Sequence, residues 1–321
     1  MAAGKRYRKK RHNVAKLVFC AAVELIVVLI LVLIIGWNQG IKSWFLGLSQ
    51  PAVKELDLSG IYSTHAILMP AQGGRVIGEI NGDERIYPAS LTKMMTAILA
   101  IERIGNLNKE ITLTNEMFAG LYERDATQAG FQPGEVVSAE NLIYGAMLPS
   151  GAECCIALAE AVAGSELDFV ELMNKKAAKL GMDHTHFCDT TGLHDPEHYS
   201  TVRDMAVLLK YCIRNDKFRE IAGSSWHYTG VTNVHPDGIT YYNTLFKNLS
   251  TREVTGGEIL GGKTGYTDDA GLCLASYAEI MGKEYVLVTA GAAGGSGQAL
   301  HVMDAVTIYN RLGEAAQALQ R

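Results

Sequence analysis

The chain has 321 residues, enough for one large domain or two small ones with a sizeable core. Its hydrophobic fraction of 48% and its charged fraction of 20% are typical of a globular enzyme once one apolar tract near the start is set aside. The formal net charge is −5, and subtracting the seven cations before that tract leaves −12, so binding to DNA or RNA is not indicated.

Residues 17–35 form the apolar tract, interrupted only by Cys20 and Glu24. About 20 apolar residues span a bilayer core, whereas the apolar region of a signal peptide has about 7–15. Seven Lys and Arg residues and no acid precede the tract, which by the positive-inside rule places the N-terminus in the cytoplasm. A cleaved signal peptide is the competing interpretation. The predicted segments are a cytoplasmic basic segment (1–16), a single-pass transmembrane anchor (17–37), a linker (38–58), an extracellular catalytic domain (59–314) and a tail (315–321).

The predicted elements of the domain begin with strands between Tyr62 and Pro88, where Asn81-Gly82 is a hairpin turn signal. Apolar periodicity then predicts helices, which are Ser90–Ile104, Ala139–Met147, Ala152–Ala163, Glu166–Leu180 and Val202–Asn215. Strand patterns return later, at Trp226–Thr232, Leu260–Tyr266, Gly271–Glu279 and Glu284–Ala292, before a last helix at Gln298–Leu312. This order predicts an α+β fold, with N- and C-terminal strands in one antiparallel sheet and the middle helices packed to one side.

The first chemical motif is Ser90-Leu-Thr-Lys93 at the start of a predicted helix. Residues three apart share a helical face, so the two side chains lie within hydrogen-bond reach. A serine hydroxyl becomes a nucleophile when a base takes its proton, and an uncharged lysine is able to do this. Burial and a second cation lower a lysine pKa. The pattern alone is weak, since a serine that caps a helix explains most matches.

Two further motifs follow in order. Ser150-Gly151 lies in a turn between two apolar helices, and Lys263-Thr264-Gly265 lies within a strand pattern. The lysine and hydroxyl are suited to holding a substrate carboxylate, and the glycine lets backbone approach the scissile bond. A phosphate-binding loop is disfavoured because strand residues follow the lysine, where that motif requires a helix.

Together these motifs resemble the signature of the penicillin-binding serine hydrolases. Over about residues 60 to 310 the chain is similar to the low-molecular-weight, serine-type D-alanyl-D-alanine carboxypeptidases (peptidase S11). The resemblance implies the fold shared by DD-peptidases and β-lactamases, an antiparallel sheet with a helical cluster. It also implies peptidoglycan stem peptides ending in D-Ala-D-Ala as substrate, β-lactams as covalent inhibitors, and no metal or cofactor.

The same resemblance implies a role for each motif residue. Ser90 is the nucleophile, Lys93 its base, and Ser150 relays a proton to the leaving amine. Lys263, Thr264 and Gly265 bind the terminal carboxylate and the substrate backbone. The backbone N–H groups of Ser90 and Tyr266 form the oxyanion hole.

The chain departs from the family pattern at two places. The second motif is usually Ser-x-Asn, and here its third residue is Ala152, so the amide that orients the lysine and the substrate is missing. Glu153 either substitutes in part or faces solvent, and solvent exposure is the favoured interpretation. The family often has an arginine near the start of the last helix, where His301 is the nearest candidate here.

Rival functions remain open on the sequence alone. A β-lactamase needs a glutamate that activates water, and Glu171 fits only superficially because it lies in an apolar-periodic helix. A DD-transpeptidase and a catalytically weakened wall-binding module are also compatible with the three motifs. The exported cysteines and histidines lack ligand spacing, so a zinc site is unsupported. Buried free thiols are the favoured interpretation of the cysteines, although Cys154 and Cys155 follow Ser150 closely enough for a redox-sensitive site to be conceivable.

Overall fold

The computed structural model describes residues 53–295 and 297–320. The predicted cytoplasmic segment, the membrane anchor and most of the linker lie outside the described residues. Within the described part of the chain, no helix is both long enough and apolar enough to cross a membrane.

Strands from both ends of the domain build its central sheet. The strands are β1 (His65–Pro70), β2 (Gly78–Ile80), β3 (Glu110–Thr112), β4 (Val136–Ser138), β5 (Trp226–Tyr228), β6 (Thr240–Tyr242), β7 (Glu253–Val254), β8 (Gly257–Thr267), β9 (Gly271–Ile280) and β10 (Lys283–Ala292). The central antiparallel sheet has the order β2-β1-β10-β9-β8-β7. β1 pairs with β10, with His65 opposite Ala290 and Pro70 opposite Tyr285. The predicted pairing of N- and C-terminal strands is confirmed.

The helices form a cluster on one face of this sheet and a single layer on the other. They are α1 (Lys93–Arg103), α2 (Ala139–Met147), α3 (Ala152–Ala163), α4 (Glu166–Leu180), α5 (Val202–Cys212), α6 (Asp216–Gly223), α7 (Thr244–Lys247) and α8 (Leu300–Ala318). The predicted ranges of α2, α3 and α4 are confirmed to the residue. The sequence also supplies end signals, since Ser165 caps α4 through Asp168 N and Gly181 ends it in a left-handed conformation.

Alternation along β1 explains the two layers. Successive side chains of a strand point to opposite faces. Ile67 and Met69 join the large hydrophobic cluster that contains α1 to α6, whereas Ala66 and Leu68 join a smaller cluster with Tyr309 of α8. The prediction that the middle helices pack on one side of the sheet is therefore confirmed, and α8 covers the opposite face.

Several predicted boundaries differ from the structure. Asn81 does turn, with φ of +51°, but the predicted hairpin does not form there, since β2 pairs with β1, which precedes it, and not with a strand after the turn. A turn signal in the sequence specifies the local backbone conformation and not which strands pair, which explains the difference. The Trp226 strand is shorter than predicted and pairs with β6 in a separate two-stranded sheet.

The ends of the domain also extend beyond their predicted limits. Val53 and Leu58, placed in the linker by the sequence, are buried in the smaller cluster, and Leu56 N donates to Ile77 O at 2.8 Å. At the other end α8 continues to Ala318, so the predicted boundary at residue 314 falls inside a helix. Both segments belong to the folded domain because their apolar residues pack on the sheet. Their mixed composition did not indicate this.

Candidate active site

Ser90 lies in a 3-10 turn, Ala89–Thr92, which leads directly into α1. Ala89 has φ of +47°, a left-handed conformation that is uncommon for a residue with a side chain. Gly192 packs against this turn, and a Cβ at Gly192 would lie 1.8 Å from Ala89 O. Because no side chain fits there, Gly192 is needed for the turn that presents Ser90.

The Lys93 amine lies beside the Ser90 hydroxyl. Lys93 Nζ donates to Ser90 Oγ at 2.9 Å and to Thr191 O at 2.7 Å, and only 3% of Lys93 is exposed. Burial lowers the pKa of Lys93, while the negative charge of Asp189 opposes that shift. A lowered pKa enriches the uncharged amine, which is the form able to take a proton from serine.

A second buried lysine lies on β8. Lys263 is 1% exposed, and its Nζ donates to Thr264 O at 2.8 Å. Burial holds the pKa of Lys263 well below its usual value, and the positive charge of Lys93 lowers it further. Thr264 Oγ1 in turn lies 2.6 Å from Thr244 Oγ1 at the start of α7. The Lys263-Thr264 pair is thus fixed from two sides.

Gly265 places β8 directly against the serine turn. A Cβ at Gly265 would lie 3.0 Å from Ser90 N and 3.2 Å from Ala89 Cβ. The next residue, Tyr266, is half-buried, and its hydroxyl donates to Asp268 Oδ1 at 2.6 Å. The glycine of the third motif therefore sets the separation between β8 and the nucleophile.

Ser150 is held in a strained position. Its φ is +76°, a conformation that costs a residue with a side chain about 1–3 kcal/mol. The side chain is 7% exposed, and Ser150 Oγ has no hydrogen-bond partner among the described residues. Strain and an unpaired hydroxyl cluster at functional sites, so both features point to a role in chemistry.

Two cavities share Ser90, Tyr266 and residues 125–127 as lining. The Lys93 cavity, of about 270 Å³, has a lining that also includes Lys93, Ala152, residues 191–194 and Asp268. The Thr264 cavity, of about 420 Å³, has a lining that also includes Ser150, Thr244, Thr264, Gly265 and His301. A substrate that extends to both sides of Ser90 therefore has a separate space for each side.

Glu153 does not face solvent, and the interpretation favoured from the sequence is wrong. Its side chain is fully buried, and Oε1 accepts from Ala129 N at 2.6 Å and from Gly130 N at 3.0 Å. Burial raises the pKa of Glu153. The side chain of Glu153 is buried because these two loop N–H groups need a hydrogen-bond acceptor. Glu153 therefore anchors the loop next to residues 125–127 of the cavity lining.

His301 lines the Thr264 cavity, as its proposed position near the carboxylate site requires. Only 4% of it is exposed, and Nδ1 has no partner among the described residues. Burial lowers the pKa of His301 to about 4. The imidazole is therefore uncharged at neutral pH, unlike an arginine.

The remaining candidates lie away from this chemistry. Glu171 is a surface residue, since its side chain is 62% exposed and pairs with Lys175 at 2.9 Å. The described cysteines are free, and burial raises the pKa of Cys155 to about 12, which keeps its thiol protonated. In the described part of the chain, no three metal-ligating side chains lie together.

The chain is similar to known proteins over most of its length. A family model described as D-alanyl-D-alanine carboxypeptidase, Peptidase S11, matches residues 51–294. The chain belongs to this family. Within it, DacF of Bacillus subtilis is 31% identical over 71% of this chain and 57% of its own length. DacA of Escherichia coli is 31% identical over 71% of this chain and 54% of its own length. The chain thus spans about half the length of these two relatives.

Solved structures of the carboxypeptidase family and its neighbours share the fold. The crystal structure of the Streptomyces K15 DD-transpeptidase has a TM-score of 0.70 at 24% identity, covering 82% of this chain and all of that one. A D-alanyl-D-alanine carboxypeptidase from Mycobacterium tuberculosis has a TM-score of 0.70 at 22% identity, covering 83% and 95%. These likenesses establish the DD-peptidase fold, with its antiparallel sheet and helices, for the described residues.

Sequence reasoning missed several residues that surround the motifs. Thr191 O binds Lys93, Thr244 binds Thr264, and Glu153 anchors the adjoining loop. Every residue has a backbone carbonyl, so the sequence does not indicate which one binds the lysine, and Thr191 was not identifiable. The glycine of Thr191-Gly192 was the available signal, because a left-handed glycine within a polar turn often marks a close backbone approach.

Proposed function

We propose that this chain is a serine-type D-Ala-D-Ala carboxypeptidase that removes the terminal D-alanine from peptidoglycan stem peptides. The observation that carries the proposal is the 2.9 Å contact between Ser90 Oγ and the buried amine of Lys93. That pair, placed between two cavities, supplies a nucleophile and its base, and Lys263 supplies a second buried amine nearby.

In the proposed acylation step, uncharged Lys93 takes the proton of Ser90, and Ser90 Oγ bonds to the D-Ala–D-Ala carbonyl carbon. The backbone N–H groups of Ser90 and Tyr266 are the proposed donors to the oxyanion, each worth about 3–4 kcal/mol in other enzymes. The C–N bond then breaks, and the proton passes through Ser150 to the leaving amine. The terminal D-alanine departs, and the rest of the peptide remains as an ester on Ser90.

The cavities suggest how the peptide lies. The terminal carboxylate fits the Thr264 cavity, where Thr264 offers a hydroxyl and Lys263 lies directly behind it. The acyl part of the peptide then occupies the Lys93 cavity. In the second step water attacks the ester carbon and Lys93 takes its proton. The bond between Ser90 Oγ and the acyl carbon then breaks, Lys93 gives that proton to Ser90 Oγ, and the shortened peptide leaves as a carboxylic acid, with no metal or cofactor in either step.

Release of D-alanine from a peptide ending in D-Ala-D-Ala tests this proposal. The exported domain is incubated with and without benzylpenicillin, and Ser90→Ala serves as the matched variant. We expect release that benzylpenicillin blocks and that Ser90→Ala lacks, together with a covalent adduct on Ser90 by mass spectrometry. Well-folded protein that forms no adduct would refute the mechanism.

A DD-transpeptidase is the second candidate, because the fold neighbour from Streptomyces K15 carries that name. The two reactions share the acyl-enzyme and differ only in whether water or an amine attacks it. Adding a D-amino acid acceptor to the assay separates them, since transfer yields an exchanged peptide and hydrolysis a shortened one. A β-lactamase is disfavoured because Glu171 is paired on the surface, and slow release of benzylpenicillin is the expected result.

We also propose that residues 17–37 anchor the protein in the cell membrane, with the N-terminus cytoplasmic and the catalytic domain extracellular. Support comes from the apolar tract and the seven cations before it. Extraction of the full chain with carbonate tests the anchor, and protease added to intact spheroplasts tests the orientation. A full chain that appears in the carbonate supernatant would contradict the anchor.

A further inference from the structure

The Lys93 amine is fixed without the amide that other members of the family supply. Ala152 lines the Lys93 cavity and offers no polar group there. Two hydrogen bonds of Lys93 Nζ remain, one to Ser90 Oγ and one to Thr191 O at 2.7 Å. Because Ser90 is the group to be activated, the Thr191 carbonyl is the fixed support for the amine.

One carboxylate oxygen holds the turn that carries this carbonyl. Asp189 Oδ1 accepts from Thr191 N at 2.7 Å, from Thr191 Oγ1 at 2.9 Å and from Gly192 N at 2.7 Å. The Asp189 side chain is 14% exposed. Three hydrogen bonds to one charged oxygen are stronger than neutral ones and define the turn closely.

The same turn is tied to the elements around it. Thr96 Oγ1 of α1 donates to Thr190 O at 2.7 Å, and Gly192 packs on Ala89. The other Asp189 oxygen, Oδ2, lies 3.7 Å from His198 Nδ1 and 3.9 Å from Arg124 Nη2. The turn therefore contacts both the lysine helix and the serine turn, and Asp189 lies at its centre.

We infer that Asp189 is a positioning residue for the reaction, which holds the Thr191 carbonyl so that the Lys93 amine stays beside Ser90 although residue 152 is alanine. This inference rests on the proposed function of Ser90 and Lys93. Asp189 does not touch the reacting atoms, and it acts through the Thr191-Gly192 turn. A shift of about 1 Å in a group that must align with a reacting atom costs about 100-fold in rate.

Asp189 also contributes charge at this position. Asp189 and Glu153 are the carboxylates that face Lys93, and each raises its pKa against the effect of burial. Cys154 and Cys155 face it as protonated thiols, and Lys263 and His198 are the neighbouring bases. Replacing Asp189 with asparagine keeps an oxygen for the turn and removes one of the carboxylate charges. The pKa of Lys93 then falls, and the acid limb of the acylation profile moves to lower pH.

The test is the rate of covalent acylation by benzylpenicillin, measured over pH for a small set of variants. Asp189→Ala is expected to slow acylation by about 100-fold at neutral pH. Ala152→Asn added to Asp189→Ala is expected to recover about tenfold, because an amide at residue 152 gives the amine a second support. Asp195→Ala is the matched control, since it removes another loop carboxylate that accepts a backbone N–H, and its rate should stay within about threefold of wild type.

Each outcome bears on the inference. Acylation of Asp189→Ala at the wild-type rate would overturn it, and so would a double variant no faster than Asp189→Ala. If Asp189→Ala is not recovered folded, Asp189→Asn decides, because loss of the charge weakens the three hydrogen bonds that Asp189 accepts from the turn, and acylation of Asp189→Asn at the wild-type rate would overturn the inference. Failure of the wild type to form any adduct would instead refute the proposed function, so the two failures are distinguishable.

Discussion

Gly265→Ala is the sharpest test of the contact between β8 and the serine turn. The added Cβ would lie 3.0 Å from Ser90 N, whereas ordinary contacts begin at 3.4 Å, so about 0.4 Å of displacement is required. Both partners of this contact are backbone or Cβ atoms, which have no rotamer to change. The displacement therefore falls on the turn that carries the nucleophile.

The magnitude follows from the displacement. If a 1 Å misplacement costs about 100-fold, then about 0.4 Å costs roughly sixfold in the acylation rate, or about 1 kcal/mol in the barrier. Overpacking is also expected to lower the free energy of unfolding by about 1–3 kcal/mol. In a domain of this size, each kcal/mol lowers Tm by about 2–4 °C.

Stopped-flow acylation with a fluorescent penicillin and thermal unfolding measure the two effects separately. Gly105→Ala is the matched control, because a Cβ there meets no atom within 4 Å and the residue has no left-handed backbone. We expect the control to acylate at the wild-type rate. A Gly265→Ala variant with a lower Tm and an unchanged acylation rate would show that the contact stabilises the domain without placing Ser90.

Four further predictions concern three surrounding residues. Because burial lowers the pKa of Lys93, the acylation rate should rise with pH along a limb that lies below pH 10.5, and a limb at or above that pH would contradict the buried base. Glu153→Ala leaves two loop amides unpaired and should destabilise the domain by about 1–3 kcal/mol in urea unfolding, more than Glu153→Gln does. The raised pKa of Glu153 means that the folded state holds its proton more tightly, so wild-type stability should fall as pH rises above 4.5, and Glu153→Gln should flatten that slope. Thr244→Val removes the partner of Thr264 and should slow acylation by up to about tenfold with little change in Tm; equal rates would assign Thr244 no part in the site.

The sequence predicted the central elements because their signals are local. Helices such as Ala152–Ala163 combine a regular apolar pattern with clear end residues, and the hydrophobic strands near the C-terminus carry their own alternation. The three motifs were also identifiable, since their residue types are tied to one chemistry. Short elements such as α6 and α7 were missed, as were β3, β4 and β6 of the small sheets, because a few residues give too little periodicity for assignment.

The surroundings of the motifs depend on tertiary structure. Glu153 was expected in solvent because glutamate is seldom buried, and only the fold reveals the two amides that it satisfies. Asp189 and Thr191 act through backbone groups, whose positions no side-chain pattern records. The N-terminal limit at residue 59 failed for a related reason, since Val53 is buried in the smaller cluster among residues that are distant from it in sequence.

The pairing of β1 with β10 has a consequence for when the protein becomes reactive. Ser90 follows β1 closely in the chain. Lys263 lies on β8, which pairs with β9, and β9 is connected to β1 in the sheet only through β10. Ladders between residues more than 200 positions apart form late, because the intervening chain must first be synthesised and ordered. A nascent chain lacking residues 283–292 therefore carries the serine and its lysine without an assembled pocket, and penicillin labelling becomes a marker of completed folding.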